Sequence, residues 1–343
     1  MVDDYRRNFQ ETYIRERAIT YDAHFYNEIP RDVYIQVTEL MRLYKRSRDE
    51  RIRTIIVPNN GFRYCADIMA RAYVNICPTN VKKIFVITAY NQFVANTLML
   101  SSSDCFITPY YKIPVDKQVN DELWKTGDCT YISRLDDEKQ MGVEIQLPFI
   151  TYVMEEYKEQ FTIVPIYVGF VEFDNLRRFA KKLIPYYKDP KNLFIFSVSL
   201  THWGKIYNFD TVKPGFRTIL ESIQDFDKGA IEALKKLNFK AFDYYRLLNK
   251  MTIPEFPVWA MFLWLVSQVL MEDEYRVRLL SDEEFEKAFQ ETAELIVHGQ
   301  SWSLPSVTPE RSCISFLSAS LKRDLKKCQE PPPEEPNPLN KCC

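Results

Sequence analysis

A single α/β domain, with a central mixed sheet flanked by helices, is the fold class this sequence predicts. Two observations carry the expectation. Short β-branched runs alternate with stretches whose apolar residues recur at helical spacing, and no internal repeat or interdomain linker interrupts them. At 343 residues and 46% hydrophobic, the chain also has enough apolar surface for one large core. Twenty-one Tyr and 23 Phe against 8 Gly point to broad aromatic packing and leave little material for a glycine-rich phosphate loop.

In chain order, Val33, Val37, Leu40, Met41 and Tyr44 mark one helical face, followed by a strand from Arg53 to Val57. Cys65, Ile68, Met69, Ala72, Tyr73 and Ile76 mark a second helix, and Lys83 to Ala89 a second strand. Phe161 to Val168 and Asn192 to Leu200 are strand-like, with a helix between them on Leu176, Phe179, Leu183 and Tyr186. Longer helices follow over Arg217 to Leu237 and Phe256 to Met271. The latter contains Ser267 and Gln268 and falls short of the roughly 20 residues a membrane span needs, so it reads as a buried helix. A strand over Tyr275 to Leu280, a helix over Asp282 to Val297 and a strand over Ser312 to Leu317 complete the pattern. Residues 1–16 read as an extension, 17–320 as the domain, and Leu321 to Cys343, with five prolines, as a disordered tail dispensable for folding.

Forty-five basic and 47 acidic side chains nearly cancel, which argues against nucleic acid as a partner. Arg6-Arg7 and the run from Lys45 to Arg53 read as solvated faces. Eight cysteines without a CxxC pair, and a charged N-terminus, lead us to expect a reduced, cytoplasmic protein without a secretory signal. There are three histidines, His24, His202 and His298, and no two stand at metal-ligand spacing on one element. His24 reads as solvated and His298 as a helix C-terminal cation. His202 follows a strand in Thr201-His202-Trp203-Gly204, where open sheets place ligand-binding groups. Asn59 and Asn91 close two other strands. If the strands are parallel neighbours, Asn59, Asn91 and His202 face one pocket, rich in hydrogen-bonding groups and poor for a transition metal. The other reading is that the asparagines only turn the chain.

Ile55-Ile56-Val57-Pro58-Asn59-Asn60-Gly61-Phe62, with Tyr64 and Cys65, resembles the Memo family's Ile-Ile-Ala-Pro-His-Ala-Gly-Tyr block. Further blocks resemble that family in order: Leu100-Ser101-Ser102 with Thr108-Pro109, Glu122 to Gly127, Val143-Glu144 with Leu147-Pro148, Phe161 to Pro165 with Val168-Gly169, Asp189-Pro190 with Asn192 to Phe194, and His202-Trp203-Gly204. The likeness runs from about Arg17 to Ala319 and implies a fold like that of class III extradiol dioxygenases. The family carries a pocket of two histidines and a cysteine proposed to hold iron or copper. Here the histidines align with Asn59 and Asn91, and the cysteine falls near Pro254. A pocket aspartate becomes Ser199, two further histidines become Met141 and Gln146, and an N-terminal histidine aligns with Tyr21. His202 and Glu144 are kept.

The resemblance, read with these substitutions, implies a catalytically inactive, cofactor-free binding or adaptor protein, linked through its family to signalling, motility and phosphotyrosine peptide. Amide oxygens bind soft divalent metals weakly and proline has no ligating side chain. The rival reading is a divergent metal-dependent redox enzyme built around His202, and a third is a structural subunit with a vestigial pocket. Cys342-Cys343 resembles the paired C-terminal cysteines of prenylated GTPases, so membrane association is expected only if they are lipidated, with Lys322, Arg323, Lys326 and Lys327 adding attraction to anionic lipid.

Overall fold

The computed structural model describes residues 15–18, 26, 29–90, 96–270 and 292–323. Tyr21, His24, Asn91, the expected strand 275–280, and the tail from 324 with Cys342 and Cys343 lie outside them. The described elements, in chain order, are β1 (Glu16–Arg17), α1 (Pro30–Leu43), β2 (Ile52–Val57), α2 (Phe62–Tyr73), β3 (Lys83–Ala89), β4 (Leu98–Leu100), β5 (Cys105–Phe106), β6 (Ile113–Pro114), α3 (Lys117–Trp124), β7 (Cys129–Tyr131), α4 (Arg134–Glu138), α5 (Met141–Glu144), α6 (Leu147–Val153), β8 (Thr162–Val168), α7 (Phe173–Lys188), β9 (Asn192–Ser197), β10 (His202–Trp203), α8 (Ile219–Lys235), α9 (Phe239–Leu248), α10 (Phe256–Leu270), β11 (Ala293–Trp302) and β12 (Cys313–Arg323).

The main sheet runs β10-β12-β2-β9-β3-β8-β4-β7, with β11 beside β12. Its centre, β2, β9, β3 and β8, is parallel, and antiparallel pairs close both sides: β12 on β2, β4 on β8. Successive side chains of a strand face opposite sides. Phe85, Ile87, Phe194 and Phe196 therefore enter one core with α7 and α10, while Ile84, Val86, Leu193 and Ile195 enter a second core with α1 and α2. Burial on both faces explains the unbroken apolar runs that predicted these strands. From Val258 to Leu263 every residue of α10 is buried, as the apolar stretch requires. Among the described residues, no helix is long and apolar enough to cross a membrane.

Four expectations need correction. The expected helix over 282–297 is, from Ala293, the strand β11: Ala293 and Leu295 point inward with Glu294 outside, a period of two that a short apolar run disguises. His298 is therefore no helix cap. It lies at a bulge in β11, its Nε2 2.8 Å from Ser320 Oγ. The last strand continues through Arg323, pairing Leu321 with Thr54 and Lys322 with Ile52, so the domain does not end at Ser320 and a cut there removes sheet residues. The domain also starts before Arg17, since β1 pairs Glu16 with Cys105. Helices α3 and α9 went unanticipated, though Asp116 and Asn238 cap them through bonds to Val119 N and to Lys240 and Ala241 N.

Asp227 of α8 is wholly buried, and Trp302 Nε1 donates to its Oδ2 at 2.9 Å. Burial raises its carboxyl from 3.8 to about 6, against the pull of the Thr201 and Ser315 hydroxyls, which form no well-aligned bond of their own. Folding thus penalises the ionised form. The stability lost as pH rises from near 3.8 through about 6 amounts to roughly 3 kcal/mol. Asp227→Asn is expected to gain on the wild type across that window, read by urea unfolding on either side of it. A pH-independent difference refutes this.

Candidate binding cleft

The parallel centre of the sheet delivers three strand ends to one place. After β2 the chain turns at Pro58, Asn59 and Asn60; β3 ends at Thr88 and Ala89; beyond β9 come Ser199 and then His202 on β10. With Met141, Gly142 and Glu255, all of these but Pro58 line a cleft of about 140 Å³. It lies at the carboxyl edge of the parallel strands, where α/β sheets bind ligands. Gly142 is required here: a Cβ on it would sit 2.0 Å from Thr88 Oγ1, so only glycine lets α5 close against the end of β3.

The two asparagines of the β2 turn divide the readings made of them. Asn60 Oδ1 accepts from Gly61 N at 2.8 Å and turns the chain into α2. Asn59 instead donates from Nδ2 to Glu255 Oε1 at 3.2 Å. Ser199 Oγ donates to Glu255 Oε2 at 2.5 Å and lies 2.8 Å from His202 Nε2. A hydroxyl has one proton and a carboxylate only accepts, so the imidazole is the donor from Nε2. Burial lowers the His202 pKa, opposed by Glu255, whose Oε2 lies 3.7 Å from Nε2. In the neutral ring Nδ1 then carries a lone pair, and it has no partner among the described residues. Thr88 Oγ1 is likewise buried without one.

This order differs from that of a nucleophilic serine. There the acid holds Nδ1 so that Nε2 can take the serine proton. Here the acid sits on the serine side, Nε2 already bears the proton, and the hydroxyl donates to the Glu255 carboxylate rather than to an imidazole.

Of the residues expected in the pocket, Asn59, Met141, Ser199 and His202 line it. Pro254 is exposed outside the lining, and its neighbour Glu255 takes that place. Gln146 lies beneath, donating from Nε2 to Pro58 O (2.7 Å) and Ser197 Oγ (2.8 Å) while accepting from Tyr73 Oη (2.9 Å). Glu144 is fully buried and bonded to Arg17 and Tyr26. Sequence reasoning missed Glu255 and Thr88. A signal for Glu255 existed, an acidic residue opening the apolar helix α10, where the helix N-terminus favours a carboxylate.

A family model described as Memo-like protein matches residues 17–280. The chain is 32% identical to Protein MEMO1 of Homo sapiens over 193 residues, covering 56% of this chain and 65% of that protein. Against Protein memo-1 homolog of Caenorhabditis elegans, identity is 29% over 238 residues, covering 69% and 67%. The likeness thus spans just under two thirds of the length of MEMO1. Uncharacterized protein JW3007 from Escherichia coli K12, a solved structure, superposes with a TM-score of 0.45 at 8% identity over 78% of this chain and 99% of its own.

Proposed function

The chain belongs to the Memo-like family, and on that premise we propose that it is a catalytically inactive, metal-free member that recognises a ligand or protein partner through the cleft at its strand ends. The carrying observation is the hydrogen-bonded chain from Asn59 through Glu255 and Ser199 to His202. It engages both carboxylate oxygens and Nε2 with one another. The donors are poor ones for iron or copper: one imidazole, one carboxylate already bonded on both oxygens, a hydroxyl and an amide.

An adaptor role in signalling and motility, in the cytoplasm, extends this proposal by family likeness. The cleft adds a constraint on the phosphotyrosine partner that likeness implies, because its described lining contains no lysine or arginine for a phosphate. A phosphopeptide would have to seat its charge on the rim. Lipid attachment at Cys342 and Cys343 is a separate proposal resting on the paired thiols alone, to be read from the intact mass of protein from its own cells.

Protein purified without chelator is expected to hold far less than one equivalent of iron, copper or zinc by elemental analysis. A stoichiometric metal lost on His202→Ala would overturn the reading in favour of the redox enzyme.

A further inference from the structure

Glu255 is the only charged side chain in the described lining of the cleft. Its oxygens are fixed by Asn59 and Ser199, both neutral donors, and among the described residues no lysine or arginine lines the site. The remaining lining offers an acceptor. Asn59 turns its amide nitrogen to Glu255, which leaves its Oδ1 as an acceptor; Thr88 Oγ1 and His202 Nδ1 have no partner among the described residues but are sealed from the cleft.

Size narrows the class. About 140 Å³ is well below the roughly 300–1,000 Å³ of pockets that enclose whole drug-sized molecules, so the cleft takes a small terminal group. A carboxylate or phosphate there would face Glu255 without a cation. A primary ammonium brings one positive charge and three donors, which match a carboxylate beside an amide oxygen.

We propose that the cleft binds a primary ammonium group, of a small amine or of a partner's lysine side chain, with Glu255 as counter-ion and Asn59 Oδ1 as an acceptor. The assignment rests on the cleft being a metal-free binding site, as argued above.

Met141 lines the cleft, so its methyl resonance in full-length protein carrying 13C-methyl methionine, assigned with Met141→Leu, reports occupancy. The protein is titrated at fixed ionic strength with n-butylammonium, with an acetyl-Gly-Lys-Gly-amide peptide, and with acetate and inorganic phosphate as counter-probes. Saturable shifts with the two ammonium probes alone are expected, weakened about tenfold or more by Glu255→Gln and less by Glu255→Asp. Tighter binding of the peptide points to a lysine side chain, and equal binding to a free amine. If Glu255→Gln unfolds, Asn59→Leu serves, with a several-fold loss expected. Saturable binding of acetate or phosphate, no shift with either ammonium probe, or affinity indifferent to Glu255 overturns the assignment while leaving a binding cleft in place. A stoichiometric transition metal in the same sample overturns the cleft reading itself.

Discussion

Replacing Arg17 by methionine is expected to destabilise the protein by about 3–5 kcal/mol, because it strips the guanidinium from a buried cluster that holds two carboxylates and, among the described residues, no other cation. Arg17 is fully buried on β1. Its Nε donates to Asp137 Oδ1 at 3.1 Å, its Nη2 to Asp137 O at 3.0 Å and its Nη1 to Glu144, and Phe106 stacks on the guanidinium at 4.8 Å. Tyr26 also donates to Glu144, and Ser101 and Tyr167 to Asp137. Burial alone would lower the Arg17 pKa, yet the charges of Glu144 and then Asp137 hold it above its ordinary value. Burial raises the Asp137 carboxyl in spite of Arg17, so removing the cation leaves the cluster with its most strained charge exposed to no partner of opposite sign. Arg17→Lys keeps a point charge without the planar fork that reaches both carboxylates, and should recover only part of the loss. Adding Glu144→Gln to Arg17→Met should recover another part, since one orphaned charge is gone. Urea unfolding at neutral pH decides this. A loss below about 1 kcal/mol for Arg17→Met would mean that water reaches the cluster and that burial is not the controlling quantity.

That cluster shows where sequence reading stops. The family likeness placed Glu144 among pocket residues, because an alignment reports position and not the direction of a side chain. Its partner lies 127 residues away, and no local pattern joins them. The strands were legible for the opposite reason: Ile84 to Ile87 and Leu193 to Phe196 are buried on both faces, which leaves an apolar run that few other structures produce. Strand β12 was legible only to Leu317, since Ser318 and Ser320 interrupt the run. Both serines are nonetheless buried, Ser320 bonded to His298. The cleft was half legible. Strand-end chemistry found Asn59 and His202, and likeness added Ser199 and Met141, whereas Glu255 enters from a loop after Thr252 whose approach depends on how α9 and α10 pack.

The same strand end sets up a contrast between two adjacent residues. Trp203→Ala is expected to cost about 3–5 kcal/mol, and His202→Ala about 1–2 kcal/mol. Trp203 is 1% exposed within the aromatic core, and its Nε1 donates to Thr211 O at 2.9 Å. Next to it Gly204 holds φ +130°, and a Cβ there would lie 2.9 Å from Ser312 Cα, so the backbone after Trp203 packs directly on the chain before β12. Truncating the indole leaves a large void that this rigid frame cannot collapse to fill. The His202 side chain meets its surroundings through a bond to Ser199, the nearby Glu255 carboxylate and an edge-on contact with Tyr207 at 4.7 Å between ring centres. Its loss leaves Ser199 still bonded to Glu255 and opens onto a cleft that admits water. Thermal and urea unfolding of the two variants, side by side, measures the difference. If both lose stability equally and severely, His202 is an architectural residue like its neighbour, and the cleft loses the side chain that most distinguishes it from a turn.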